Sequence, residues 1–270
     1  MLVFPNAKIN LGLQVTAKRA DGYHDIATIF YPLPITDMLE VVRAADFSFT
    51  QTGLPTNIDP ALNLCVKAWN LLRDAYQLPP VAMHLHKQIP MGAGLGGGSA
   101  DAAFTLRLVN QIFQLNLSTD TLLSYALQLG SDCPFFLLNS PAFAEGRGEQ
   151  LTSINIPSLR GKTLVLINPG IHISTAWAFA QVQPAPATVQ LIDIIQLPVS
   201  AWKGQLPNDF EKPVMAAHPE LETIRNSLYS TGALFAGMTG TGSTLFGIFE
   251  TALNNKLTWP AHYQQWQVAL

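Results

Sequence analysis

Charged side chains are scarce in this sequence: Asp, Glu, Lys and Arg make up 12% of 270 residues, against roughly 25% in an average chain. The 15 basic and 18 acidic residues nearly cancel, and no run of Lys or Arg occurs, which excludes a surface built to track nucleic-acid phosphates. Cysteine is almost absent. Cys65 and Cys133 lie far apart without C-x-x-C spacing, which excludes a disulfide framework or a zinc knuckle and fits a reducing cytoplasm. Long hydrophobic runs are missing too. The longest, such as Thr163 to Ile167, are strand-sized and fall short of the ~18 residues that span a bilayer, so no membrane association is expected. Pro5, Asn6 and Lys8 follow Met1 where a leader would carry an apolar stretch, so the fold is expected to begin almost at once. What is abundant is apolar surface, at 48% of residues, which excludes disorder of the whole chain. The length accommodates one large domain or two smaller ones, and a boundary near residues 150 to 160 divides the chain into 1–155 and 156–270.

From Lys8 to Val15 the residues alternate strictly, Ile9, Leu11, Leu13 and Val15 against Lys8, Asn10, Gly12 and Gln14, which predicts a strand with one apolar and one polar face. Leu64, Ala68 and Leu71 recur at helical spacing, and Pro79 and Pro80 close that segment before a second alternating run, Val81 to Ile89. After Pro90 come glycines and then Ala102, Leu106, Val109 and Phe113, the buried stripe of a helix. A further helix is predicted over Thr121 to Leu129, ended by Gly130, with Ser131 to Pro134 on the loop beyond and Asp120 as its cap. The glycines and charges of Glu145 to Glu149 read as a hairpin turn, Gln183 to Ala187 as a surface loop, and Gly232 to Phe249 as two short strands around a glycine-rich turn.

The chemistry concentrates in Gly92, Gly94, Gly96, Gly97 and Gly98, which sit between a strand and a helix start. Without Cβ atoms, several backbone N–H groups can converge on one anion there, and the helix dipole adds partial positive charge. Three phosphate-binding loops compete. Gly92, Gly94 and Gly97 satisfy G-x-G-x-x-G, but no acidic residue ends a second parallel strand about twenty positions on, as a dinucleotide fold requires. A Walker A loop needs a lysine between Gly98 and Ser99, and a protein-kinase loop needs downstream HRD and DFG elements; none of these is present.

The run Pro90 to Ala103, PMGAGLGGGSADAA, resembles the second motif of the GHMP kinase superfamily, small-molecule kinases whose ATP lies along a Pro-x-x-x-Gly-Leu-Gly loop. AKINLGL (Ala7 to Leu13) and GMTGTGSTLFGIF (Gly237 to Phe249) resemble the first and third motifs, in the correct order, although Thr239 and Thr241 stand where serines are commoner. RADGYHDI (Arg19 to Ile26) and GSDCPFF (Gly130 to Phe136) are similar to members that act on an acceptor bearing a cytidine diphosphate group. The resemblance implies an α+β, two-domain GHMP kinase fold with the ATP and acceptor sites in the cleft between domains. It further implies ATP-dependent phosphorylation of an alcohol and Mg²⁺ on the phosphates, for which no protein ligand is legible.

Residue by residue, the resemblance implies that Asp132 accepts the proton of the acceptor hydroxyl beside Lys8, with Asn10 on the same strand face contacting the acceptor or orienting Lys8. A capping role for Asp132 and a solvent-facing Asn10 are the bland alternatives. ATP falls to Pro90, Met91, Gly92, Ala93, Gly94, Leu95, Gly96, Gly97, Gly98, Ser99 and Ala100. Lys87 and Asn63 are candidates for the adenine, while a lysine stem along apolar surface and a helix cap suit the same two positions. Tyr23 and His24 would read the cytidine base and His172 would stack on its opposite face. His84 and His86 share a strand face without a carboxylate or cysteine to complete a metal site, and Cys133 has no paired histidine to activate it. Partners are thus a small-molecule acceptor, with neither nucleic acid nor membrane, and the oligomeric state is open. A kinase for mevalonate, homoserine or a sugar, and a nucleotide-binding relative without turnover, remain the other readings.

Overall fold

The computed structural model describes residues 1–55, 59–254 and 258–270. In chain order these form β1 (Leu2–Val3), β2 (Asn6–Lys18), β3 (His24–Thr36), β4 (Met38–Arg43), β5 (Ser48–Gly53), α1 (Leu64–Tyr76), β6 (Val81–Lys87), α2 (Gly97–Ile112), α3 (Thr119–Leu129) and α4 (Cys133–Leu138). There follow β7 (Ala142–Glu145), β8 (Gln150–Ser153), β9 (Thr163–Asn168), α5 (Thr175–Gln181), α6 (Leu191–Gln196), α7 (Glu211–Ala217), α8 (Pro219–Ser230), β10 (Phe235–Met238), β11 (Leu245–Phe249) and β12 (Gln264–Ala269). The elements gather into two compact units, the first of Met1–Lys8, Pro34–Met91 and Gly96–Ser140, the second of Ile9–Leu33, Gly92–Leu95 and Pro141–Leu270.

In the first unit the sheet runs β1-β4-β6-β5, with β4 antiparallel and β5 parallel to β6. Alternation along β4 and β6 turns Leu39, Val41, Met83 and Leu85 to one face, where they meet Cys65, Ala68, Trp69 and Leu72 of α1 and Ala102, Leu106 and Val109 of α2. The Asn63 side chain starts α1 by accepting the Cys65 N–H at 2.9 Å, and Gln77 ends it in the left-handed region at φ 50°. Of Ser131 to Pro134, Ser131 and Asp132 lie in a turn as expected, but Cys133 and Pro134 do not. Cys133 to Leu138 wind at once into α4, with Pro134 in its first turn and Cys133, Phe135 and Phe136 buried. Six residues are too few to show a helical period in sequence. Likewise α3 starts two residues earlier than its apolar pattern, because the Ser118 hydroxyl accepts the Thr121 N–H at 3.2 Å and leaves Asp120 in the first turn.

The second unit holds two sheets, β2-β3-β7-β8 and β10-β11-β9-β12. Glu145 pairs with Gln150 across the expected hairpin turn, and Met238 pairs with Leu245, so that residues 239–244 project as one loop. Leu13, Val15, Val165, Ile167, Leu221, Ile224, Leu228 and Leu245 share the core of this unit. In β2 the polar face is as buried as the apolar one, with Lys8, Asn10 and Gln14 each 2 to 3% exposed, so Asn10 does not face solvent. A strand that buries three polar side chains must satisfy them internally. β12, beyond the last motif, pairs antiparallel with β9 and covers the edge of that sheet.

Leu106 is fully buried between α1, α2 and the first unit's sheet. Leu106→Ala is expected to cost about 2 to 5 kcal/mol, read as a lower urea midpoint at unchanged slope.

Candidate active site

Helix α2 opens without a side-chain cap. Its N-cap is Gly96, held at φ 72°, so the N–H groups of the first turn have no side-chain acceptor. Gly92 and Gly94 also take left-handed backbone, at φ 66° and 78°. Space as well as backbone requires glycine here. A Cβ on Gly94 would run into the Thr239 carbonyl oxygen, and one on Gly96 would lie 2.8 Å from the Phe136 ring and 3.0 Å from Lys8 Cγ. The uncapped start of this 16-residue helix places peptide N–H groups at its positive end.

Within the second unit the three glycine-bearing motifs meet on one hydroxyl. Thr239 Oγ1 accepts the Asn10 amide N–H at 3.0 Å, while its own O–H faces the Gly94 carbonyl at 3.0 Å and Asn10 Oδ1 at 3.3 Å. Asn10 Nδ2 donates to Thr28 Oγ1 at 2.9 Å, which fixes the amide. The Asn208 amide donates to the carbonyls of Met238 and Gly240 at 2.8 and 3.0 Å, bracing the loop that carries Thr239. Residues 10, 94 and 239 thus form a single hydrogen-bonded unit.

Within the first unit, Lys8 Nζ lies 3.4 Å from Asp132 Oδ2, the lysine side chain 4% and the aspartate 31% exposed. Asp132 stands at the N-cap position of α4, yet its carboxylate makes no capping hydrogen bond. The capping alternative therefore fails, and the carboxylate faces the ammonium instead. Because the Lys8 stem passes against Gly96, the ammonium and the uncapped helix start belong to one piece of structure. Burial, with the Asp132 charge, pushes the neighbouring Cys133 thiol up to about 12, so it stays protonated and unreactive.

Tyr23 is 50% exposed, and the Arg147 guanidinium lies 3.8 Å above its ring centroid. Asp21 accepts the Tyr23 N–H at 3.1 Å, and that bond, with the Arg19 pairing, lowers the Asp21 carboxyl. His24 stacks on Phe179 with centroids 4.7 Å apart. His172 lies instead against the glycine loop, its Nδ1 3.2 Å from where a Cβ on Gly92 would sit. Phe179 and Arg147 were not legible as site residues: one sits in an ordinary helix and the other in a hairpin turn, with no motif around either. The two adenine candidates have partners of their own. Asn63 caps α1 and donates to Gln51 Oε1 at 3.3 Å, and Lys87, 2% exposed, holds Asp37 and Asp101.

His84 and His86 share the Thr52 hydroxyl, at 2.9 Å each. Among the described residues no group of three or more His, Cys, Asp or Glu is arranged to hold a metal ion. No helix among the described residues is long and apolar enough to cross a membrane.

Two family models match, the GHMP kinases N terminal domain over residues 63–140 and the GHMP kinases C terminal over 198–259. The 4-diphosphocytidyl-2-C-methyl-D-erythritol kinase of Parabacteroides distasonis is 48% identical over 98% of this chain and 94% of its own. That of Bacteroides fragilis is 50% identical over 93% and 92%. A crystal structure of 4-(cytidine 5'-diphospho)-2C-methyl-D-erythritol kinase superposes with a TM-score of 0.77 at 33% identity, covering 93% of this chain and 91% of the other. The mevalonate kinase of Methanococcus jannaschii, at 16% identity, shares the fold with a TM-score of 0.64 over 92% and 90%. Three motifs tied to one hydroxyl, an uncapped glycine cradle and these relatives lead to the same place: the chain belongs to the GHMP kinases, and within them to the 4-diphosphocytidyl-2-C-methyl-D-erythritol kinase family.

Proposed function

We propose that this chain transfers the γ-phosphoryl group of ATP to the 2-hydroxyl of 4-diphosphocytidyl-2-C-methyl-D-erythritol, a step of non-mevalonate isoprenoid precursor synthesis. The observation that carries this reading is the Lys8–Asp132 ion pair beside an uncapped helix start. It brings together a partly exposed base, a buried cation and a set of anion donors. Residues 1–155 and 156–270 are read as the family's two domains, in keeping with the matched stretches on either side of residue 155. Two buried free thiols support a cytoplasmic setting.

In the proposed step the acceptor oxygen attacks Pγ, the bond from Pγ to the β–γ bridging oxygen breaks, ADP leaves, and the hydroxyl proton passes to Asp132. Lys8 offsets negative charge at the reacting oxygens, and residues Pro90 to Ala100 hold the phosphates through backbone N–H groups. Mg²⁺ on those phosphates supplies charge neutralisation when bound. Asn10 orients the acceptor, Tyr23 and His24 read the cytosine, and His172 lies with the loop residue Gly92. Little covalent chemistry is asked of the protein, so positioning and fixed charge supply the catalysis.

Asp132→Asn is expected to lower turnover about 10² to 10⁴-fold with ATP binding within a few fold; near-normal turnover in a coupled assay would remove the base from this role. Gly94→Ala is expected to weaken ATP at least about ten-fold, because the new methyl meets the Thr239 carbonyl. Calorimetry on a variant shown to be folded checks this, and unchanged affinity would reduce the loop to a turn. Tyr23→Ala is expected to raise the acceptor KM about five- to a hundred-fold, as loss of about 1 to 3 kcal/mol of base stacking predicts, while the KM for ATP moves little. A uridine analogue presents the reversed hydrogen-bonding edge and is expected to be poor. Equal use of both acceptors, or better use of mevalonate or homoserine, would move the chain to another acceptor class.

A further inference from the structure

Lys87 is the last residue of β6 and is buried with two carboxylates. Its ammonium donates to Asp37 Oδ2 and, at 2.7 Å, to Asp101 Oδ2. The other oxygen of Asp37 accepts the backbone N–H groups of Gln88 and Ile89 at 2.6 and 2.8 Å, the last residues before Pro90. Asp101 lies in the opening turns of α2, five residues beyond Gly96. Contact between the two ends is close: a Cβ on Gly97 would lie 2.8 Å from Ile89 Cγ2 and 3.3 Å from Lys87 Nζ. Entry to the glycine loop is thus tied to Asp37, its exit to Asp101, and both carboxylates to one ammonium.

We propose that Lys87, Asp37 and Asp101 form a positioning clamp that closes the two ends of the phosphate loop and sets the spacing of its peptide donors, and that a proton shared within the clamp tunes ATP affinity. This rests on the reading that the loop holds the phosphates of ATP.

One ammonium cannot neutralise two carboxylates, and none of the three groups is more than 3% exposed. Asp37 accepts three hydrogen bonds, two from peptide N–H groups and one from Lys87. Asp101 receives Lys87 on Oδ2 alone, and its Oδ1 has no hydrogen-bond partner among the described residues. Burial, and then the Asp37 charge, push the Asp101 carboxyl up to about 7 against the pull of Lys87, so this is the group that carries the proton. Besides Asp37 and Lys87, the cluster faces the Cys65 thiol of α1, which burial and Asp101 push upward and keep neutral. The Thr105 hydroxyl donates to the Asp101 carbonyl at 2.8 Å. With Asp101 protonated the clamp is neutral; once it ionises, the clamp holds a net negative charge against a loop that must accept an anion.

The sign follows. Asp101 has a raised folded-state pKa, so its contribution to stability is fully present below the unfolded carboxylate range near pH ~4 and is lost as pH rises through about 7. ATP affinity falls over the upper part of the same window. In the wild type, the KM for ATP is expected to rise at least about three-fold between about pH 6 and pH 8 after correction for ATP ionisation. In Asp101→Asn, which keeps an oxygen for Lys87 and cannot ionise, the KM for ATP is expected to be flat across that range. In Asp101→Ala, KM for ATP is expected to rise about ten-fold or more with acceptor KM within about two-fold, and amide exchange of residues 91–98 to quicken. A pH dependence that persists in Asp101→Asn overturns the proton linkage. Unaltered exchange and ATP KM in folded Asp101→Ala overturn the clamp; if that variant does not fold, exchange in Lys87→Met decides by the same criterion. Failure of the wild type to bind a non-hydrolysable ATP analogue in calorimetry would instead sink the ATP reading, while the exchange measurement would still judge the clamp.

Discussion

Among the described residues no side chain caps the first-turn N–H groups of α2, and much of the structure follows from keeping them so. Unspent peptide donors at a helix start are an anion site only if the chain before the helix stays out of their way. That requirement explains left-handed backbone at Gly92, Gly94 and Gly96, the Thr239 carbonyl pressed against Gly94, and the Phe136 ring and Lys8 stem pressed against Gly96. Each contact holds the loop by packing or by backbone.

Among the described residues, the buried lysines Lys8 and Lys87 differ in their surroundings. Lys8 faces the Asp132 carboxylate, which is one-third open to solvent. Lys87 is enclosed by two carboxylates with almost no exposure, so its charge is consumed locally. In the low-dielectric interior around Lys87, removing Lys87 or Asp37 would leave an uncompensated charge, which couples folding to that cluster. The difference lies in what the remaining member can do. Asp132 without Lys8 can still reach water, whereas Asp37 without Lys87 cannot.

Legibility in the sequence tracks how local each signal is. The strand over β2, the hairpin at Glu145, the buried β9 and the β10–β11 pair all show short-range alternation or turn chemistry, and all are present. The glycine cluster was readable because five glycines in seven positions have few structural explanations. α4 was not, since CPFFLL is apolar throughout and too short for a period. β12 is stabilised by pairing with β9, about a hundred residues away, a long-range property that its own residues do not express. Asp37 and Asp101 were invisible for a similar reason: nothing near either residue says that both converge on Lys87. The Tyr23–Arg147 and His24–Phe179 pairs are long-range contacts of the same kind, between residues far apart in sequence.

Scarcity of charge, the first feature of the sequence, is consistent with the proposed chemistry rather than at odds with it. A nucleotide carrying several negative charges could be met by a cluster of lysines, but each ammonium would then need desolvation and would repel the others. Peptide dipoles avoid both costs, because they are fixed by the fold, do not titrate and carry no net charge. In the proposed reaction, backbone meets the phosphates and the fixed charge of Lys8 meets the reacting oxygens. Using backbone in this way makes the loop's geometry, rather than its composition, the quantity that must be protected. A fold that relies on dipoles has to hold them in register, and the Thr239 hydroxyl in one unit and the Lys87 ammonium in the other are each placed to do that for their own part of the loop.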